Sequence, residues 1–74
     1  MNPEIIDRRG NLLLVRDPER AFPGLLVQGD TLAGLLEDLE DELPDGFATQ
    51  TVRELLSLYE EMMKASDLRL PYVR

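Results

Sequence analysis

The chain has 74 residues, 43% of them hydrophobic, with eight basic against fifteen acidic side chains, a net charge of −7, and neither cysteine nor histidine. Without cysteine there is no disulfide, thiolate nucleophile or zinc–thiolate site, and no apolar run approaches the ~20 residues needed to cross a bilayer. What remains is one small globular domain over 1–74, expected as a soluble cytoplasmic homodimer because so short a chain builds only a modest core.

The first strand is expected around Pro3 to Asp7, followed by a turn at Arg9-Gly10-Asn11, since Gly-Asn between two strand-like runs is a hairpin signal. Leu12 to Arg16 follows as a second strand. Its apolar residues do not alternate, which suits a central strand, and its shortness and flanking Gly and Pro favour strand over helix. Asp17-Pro18-Glu19-Arg20-Ala21 reads as a loop leading to Pro23-Gly24, which suits the two central positions of a type II turn. Leu25 to Val27 is the third strand, broken by Gly29 where Asp30 or Thr31 can cap a helix.

The first helix is expected from about Thr31 to Leu43. Its apolar residues Leu32, Leu35, Leu36, Leu39 and Leu43 fall on one stripe, read as facing the sheet, and Pro44 ends it before an Asp45-Gly46 turn. Thr51-x-x-Glu54 is a capping box for a second helix ending near Ser66, with Thr49 as an earlier start. Its stripe of Val52, Leu55, Leu56, Tyr59, Met62 and Met63, widened by Leu58, exceeds what one side of a small sheet needs, so Leu58 and Met62 are candidate contacts to a partner helix or second copy. The tail at 68–73 is read as an edge strand or an extended packed segment, and Pro71 argues against a central strand. The fold class is therefore α+β: a three-stranded, mainly antiparallel sheet followed by two amphipathic helices packed on one face (β-β-β-α-α).

Charge has an address within this plan. Residues 1–29 and 47–74 each balance, whereas 30–46 carries Asp30, Glu37, Asp38, Glu40, Asp41, Glu42 and Asp45 with no basic residue, which is the whole −7. At 100° per residue Glu37, Asp38 and Asp41 point away from the leucine stripe while Glu40 and Glu42 flank it. Such a face repels phosphate backbones and attracts basic partners. Two readings stand side by side: a solvated helix exterior, and a docking face for a basic protein centred on Glu37, Asp38 and Asp41, with Glu40, Glu42 and Asp45 on the rim. Asp41 and Glu42 lie at the helix C-terminus, where the macrodipole disfavours acids by a few tenths to ~1 kcal/mol each. Gly34, on the outward side, costs about 1 kcal/mol relative to alanine and leaves room for close approach. Both details favour docking.

Other chemistries fit poorly. Lacking histidine and cysteine, the chain has neither the usual general base nor the best nucleophile, and its carboxylates fall on exposed faces, so no catalytic residue is assigned and no enzyme is expected. Asp38, Glu40, Glu42 and Asp45 alternate like calcium-loop ligands, but on a helix they point in different directions, so no metal is expected. Asp30 already occupies the helix end where Gly29-Asp30-Thr31 could have cradled a phosphate. Arg8, Arg9, Arg16 and Arg20 each have an acid nearby and form no basic stripe, so direct nucleic-acid binding is not expected, nor is a cofactor or a membrane contact.

From Phe22 to Leu39 the text FPGLLVQGDTLAGLLEDL resembles the HicB-like antitoxin family, through Pro23, Gly24, Gly29, Asp30, Thr31 and Leu32. The resemblance implies a small sheet packed on a helix and a small basic toxin, acting on RNA, as partner. This sequence departs from that family in having a long second helix in place of a returning strand and no DNA-binding module within its 74 residues. A wider pattern, Asn11 with Val15-Arg16, Phe22-Pro23-Gly24, Gln28 to Leu32 and Leu70-Pro71-Tyr72, also looks like short uncharacterised bacterial proteins. The expectation is an antitoxin-like or immunity-like protein masking a basic partner. The alternative is an accessory subunit associating through the apolar face of the second helix.

Overall fold

A computed structural model of the chain describes residues 2–73. Three strands, β1 (Glu4–Arg9), β2 (Leu12–Arg16) and β3 (Gly24–Leu26), precede two helices, α1 (Gly29–Glu42) and α2 (Phe47–Ala65). The sheet is antiparallel with β2 in the centre, so the α+β class and the β-β-β-α-α order are those read from the sequence.

Gly10 and Asn11 form the two-residue connection of the first hairpin. Gly10 adopts φ +59°, the backbone of the first central position in a type II′ turn, whose twist matches that of the strands it joins. Between Ile5 and Asp7 the register slips by a bulge. The type II turn expected at Pro23-Gly24 does not form: Gly24 opens β3, paired with Val15, and ladder pairing requires extended backbone rather than the positive φ of such a turn. The chain reverses earlier, where Asp17 accepts the Arg20 N–H on its carbonyl at 3.0 Å and the Glu19 N–H on Oδ1 at 3.0 Å.

Both helices start before the expected caps. Gln28 and Gly46 occupy the N-cap positions and neither supplies a side-chain cap. Asp30 sits inside the first turn of α1, its Oδ1 accepting the Thr31 N–H at 2.9 Å. Thr51 lies within α2 and donates its hydroxyl back to the Phe47 carbonyl at 3.0 Å, so the expected capping box is absent. The cause is Thr49, which is fully buried and donates its hydroxyl to the Leu43 carbonyl at 2.6 Å. That bond supplies a partner to the end of α1, where carbonyls lack intrahelical donors, and draws residues 47–50 into helix. Pro44 cannot continue α1, and Gly46 donates to the Leu43 carbonyl at 3.1 Å as the chain turns.

The core lies between the helices. Leu36 of α1 and Leu56 of α2 are 1% and 0% exposed, and α1 and α2 are in contact along their apolar stripes. The α1 stripe therefore faces α2, not the sheet as expected. Among the described residues no strand Cα approaches a helix Cα within 8 Å; Val27 and Gln28 carry the chain from one part to the other, and Leu26 borders a shallow hollow with Tyr59 and Pro71. The short turn between α1 and α2 sets their apolar stripes against each other.

The helix α2 ends in a Schellman arrangement. Asp67 adopts φ 58°, its N–H bonds the Lys64 carbonyl at 3.1 Å, and the Leu68 N–H bonds the Met63 carbonyl at 2.9 Å. Residues 68–73 form no strand. They pack as an extended segment along α2, with Tyr72 stacked on Tyr59 at 6.5 Å between centroids and donating its hydroxyl to Glu60 at 3.0 Å. Tyr59 in turn covers the start of α1 so closely that a Cβ on Gly29 would overlap its ring. Gly29 is thus fixed by packing as well as by its place between strand and helix.

Candidate functional site

Taking buried Leu36 as the inward direction, Asp38 and Asp41 lie roughly opposite it and Glu37 about 100° to one side at the helical pitch. Glu37, Asp38, Asp41 and Glu42 are all exposed on α1, and Asp45 is exposed in the turn beyond it. Among the described residues none of these five pairs with a basic side chain. The last turn of α1 holds no basic residue, so Asp41 and Glu42 stand at the negative end of the helix without compensation.

Glu40 departs from this pattern. It lies only about 40° from Leu36, on the side turned toward α2, and accepts the Arg53 guanidinium at 3.1 Å. Gln50 accepts a second guanidinium bond from Arg53 at 2.9 Å and fixes its direction. Arg53 is therefore a counter-charge that reading 30–46 alone missed. No local signal could have found it, because it stands thirteen residues away on the other helix and meets Glu40 only when the stripes pair.

Beside the acids, a shallow groove runs along α1 between Asp30, Gly34, Glu37 and Glu40 on one side and Tyr72 and Val73 on the other. A Cβ on Gly34 would meet nothing within 4 Å, so nothing inside the chain demands a glycine there. Asp30 and Glu37, neither in an ion pair among the described residues, an open glycine and an aromatic ring give this groove the chemistry to receive a basic side chain and its aliphatic stem. Among the described residues no group of three or more acids converges as metal ligands would.

On α2 the wide apolar stripe resolves into two faces. Val52, Tyr59 and Met63 are half-buried around Leu56 toward α1, whereas Leu55, Leu58 and Met62 are each more than half exposed on the far side. Leu58 and Met62, singled out from the sequence, thus share one uncovered stripe. Among the described residues no helix is long and apolar enough to cross a membrane.

No curated protein and no solved structure matches the chain. The local likeness of residues 22–39 to HicB-like antitoxins finds no support beside these comparisons, and the sheet packed on a helix that it implies is replaced here by a helix pair. The broader likeness to short uncharacterised proteins agrees with what does match: a family model spanning residues 1–72, by which the chain belongs to a family of unknown function, DUF6959.

Proposed function

We propose that this chain is a small non-enzymatic binding protein, antitoxin-like or immunity-like, that masks a basic protein partner with the outer face of α1. Glu37, Asp38 and Asp41 form the centre of contact, and Glu42 and Asp45 the rim. Glu40, already bonded to Arg53, contributes position more than charge. The observation that carries this reading is the row of exposed acids on α1 that, Glu40 apart, no basic side chain among the described residues compensates. Helix stability alone disfavours acids at the C-terminal end of α1, and a binding role accounts for them. The mechanism is occlusion of the partner's basic surface, with association steered by long-range attraction that weakens as salt rises.

Reversing Glu37, Asp38 and Asp41 together to lysine tests this. Capture of basic proteins from a cell lysate by the immobilised chain at low salt is expected to be lost in the triple variant, and to fall in the unmodified chain as salt is raised. Capture that survives the reversal at low salt overturns the reading. A second reading, an accessory subunit held through α2, is favoured by the exposure of Leu55, Leu58 and Met62; it requires that changing Leu58 or Met62 to a charged residue abolish capture while the triple reversal leaves it intact.

A further inference from the structure

The surface of the molecule is too large for its mass. The chain exposes 6285 Å², some 1,700 Å² beyond the ~4,600 Å² typical of a compact monomer of 8.4 kDa. Its radius of gyration is 13.9 Å, against roughly 11 Å for a compact domain of this length. A standard interface hides about 800 Å² on each partner and obligate dimers hide more, so the excess matches an obligate interface.

Two apolar surfaces contribute to it. Cross-strand partners share a face of a sheet, so the register of Ile5 with Val15 and of Leu13 with Leu26 puts these four on one face. Among the described residues Arg8, opposite Leu13, is the only charge paired into that face. Ile5 is 62% and Leu26 45% exposed, and no helix covers them. The second surface is the outward stripe of α2, Leu55, Leu58 and Met62. Helical spacing sets Glu54 and Glu61 along one side of that stripe. Among the described residues neither Arg8 nor Glu61 forms an ion pair within the chain. The strand-bearing segment 1–29 has no net charge, so it can approach another copy without the repulsion that α1 would impose.

We propose that two copies of this chain pair reciprocally, the Ile5–Leu13–Val15–Leu26 face of each sheet lying on the Leu55–Leu58–Met62 stripe of the other copy. This arrangement covers both apolar surfaces at once and brings Arg8 toward Glu61 across each contact. Pairing sheet on sheet would bring two like-charged Arg8 side chains into one interface and leave the α2 stripe open; pairing stripe on stripe would leave the sheet open. The acidic face of α1 stays outside the dimer, and the inference does not rest on that face binding anything.

Light scattering on the 74-residue chain alone is the test. The unmodified chain is expected at twice 8.4 kDa, and Leu26→Lys and Leu58→Glu are each expected to halve that mass with helical circular dichroism unchanged. Mixing the two variants is expected to restore the doubled mass, because one contact of the mixed pair is unmodified on both sides and the other brings opposite charges together. A monomeric unmodified chain overturns the proposal and assigns the surfaces to a foreign partner. So does a Leu26→Lys dimer, which means stripe on stripe, a Leu58→Glu dimer, which means sheet on sheet, or a mixture that stays monomeric. Should either variant unfold, isotope-filtered NMR on the unmodified chain decides: cross-peaks between Leu26 methyls of labelled chains and Leu58 methyls of unlabelled ones are expected, and their absence from a dimer overturns the arrangement.

Discussion

The helical half of the molecule and its sheet are built from similar amounts of leucine, isoleucine and valine, yet only the helical half has a core. Leu36, Leu56 and the Thr49 hydroxyl are sealed between α1 and α2, whereas no residue of β1, β2 or β3 is fully buried. Hydrogen bonding does not separate them, since the ladders of the sheet are formed. The difference is partnership. Two helices joined by a tight turn bring their own apolar stripes together, but a three-stranded sheet offers two faces and has nothing in its own segment to cover either. A sheet without cover is marginal in water, so the sheet half is the part of the chain that a covering partner would stabilise most.

The largest test of that contrast sets Leu56→Ala against Leu26→Ala. Truncating Leu56 is expected to cost about 2–5 kcal/mol, through lost transfer energy and the cavity left behind. That is a large fraction of the roughly 4–11 kcal/mol a domain of this length commands. At concentrations low enough to keep the chain monomeric, Leu26→Ala is expected to cost under ~1 kcal/mol, because its side chain is already half in water. As protein concentration rises the Leu26 cost should grow and the Leu56 cost should not, since an added partner stabilises by mass action only what it covers. Urea denaturation at several protein concentrations measures both. Equal costs at every concentration would erase the distinction between the halves.

A second comparison lies within α1. Gly29→Ala is expected to destabilise by about 1–3 kcal/mol, because its Cβ would overlap the Tyr59 ring and push it off Tyr72. A change in the tyrosine near-ultraviolet circular dichroism should accompany it. Gly34→Ala, with open space around its Cβ, is expected to stabilise by up to about 1 kcal/mol through helix propensity alone. If Gly34 admits a partner, the same substitution weakens capture of basic proteins while raising thermal stability. A destabilised Gly34→Ala chain would show that something inside the fold needs that glycine.

What was legible in the sequence follows from which forces are local. β2 stands where Leu12-Leu13-Leu14-Val15 placed it, because Gly10-Asn11 and Asp17-Pro18 punctuate both ends. The outward direction of Asp38 and Asp41 was legible because helical pitch fixes it once the leucine stripe is known. The start of α2 was not. The Thr51–Glu54 pattern is a valid local signal, but Thr49 reaches the Leu43 carbonyl at 2.6 Å across a turn, and that tertiary bond overrides the cap. Pro23-Gly24 likewise had the composition of a turn, yet Gly24 is claimed by Val15 in the ladder. The Arg53–Glu40 pair and the partner chosen by the leucine stripe were not legible at all, since both depend on which amphipathic surfaces pack together.

The smallest expected effect, at Asp67, isolates the helical half most cleanly. Its φ of 58° is the left-handed conformation that the Schellman stop requires and that glycine adopts without strain. A side chain there costs roughly 1–2 kcal/mol in general and less for Asp, which tolerates the region better than most. Against this, glycine at the same position adds about 0.4–1 kcal/mol of unfolded-chain entropy. The two terms nearly cancel, with relief of strain slightly ahead, so Asp67→Gly is expected to stabilise by a few tenths of a kcal/mol, read as a small rise in thermal midpoint. Because the change tightens only the end of α2 and touches neither the sheet nor the Leu55–Leu58–Met62 stripe, the mass by light scattering should be unaltered. A shift in association would mean that the stop after α2 and the apolar surfaces are coupled, and that the two halves do not stand apart energetically as they do in space.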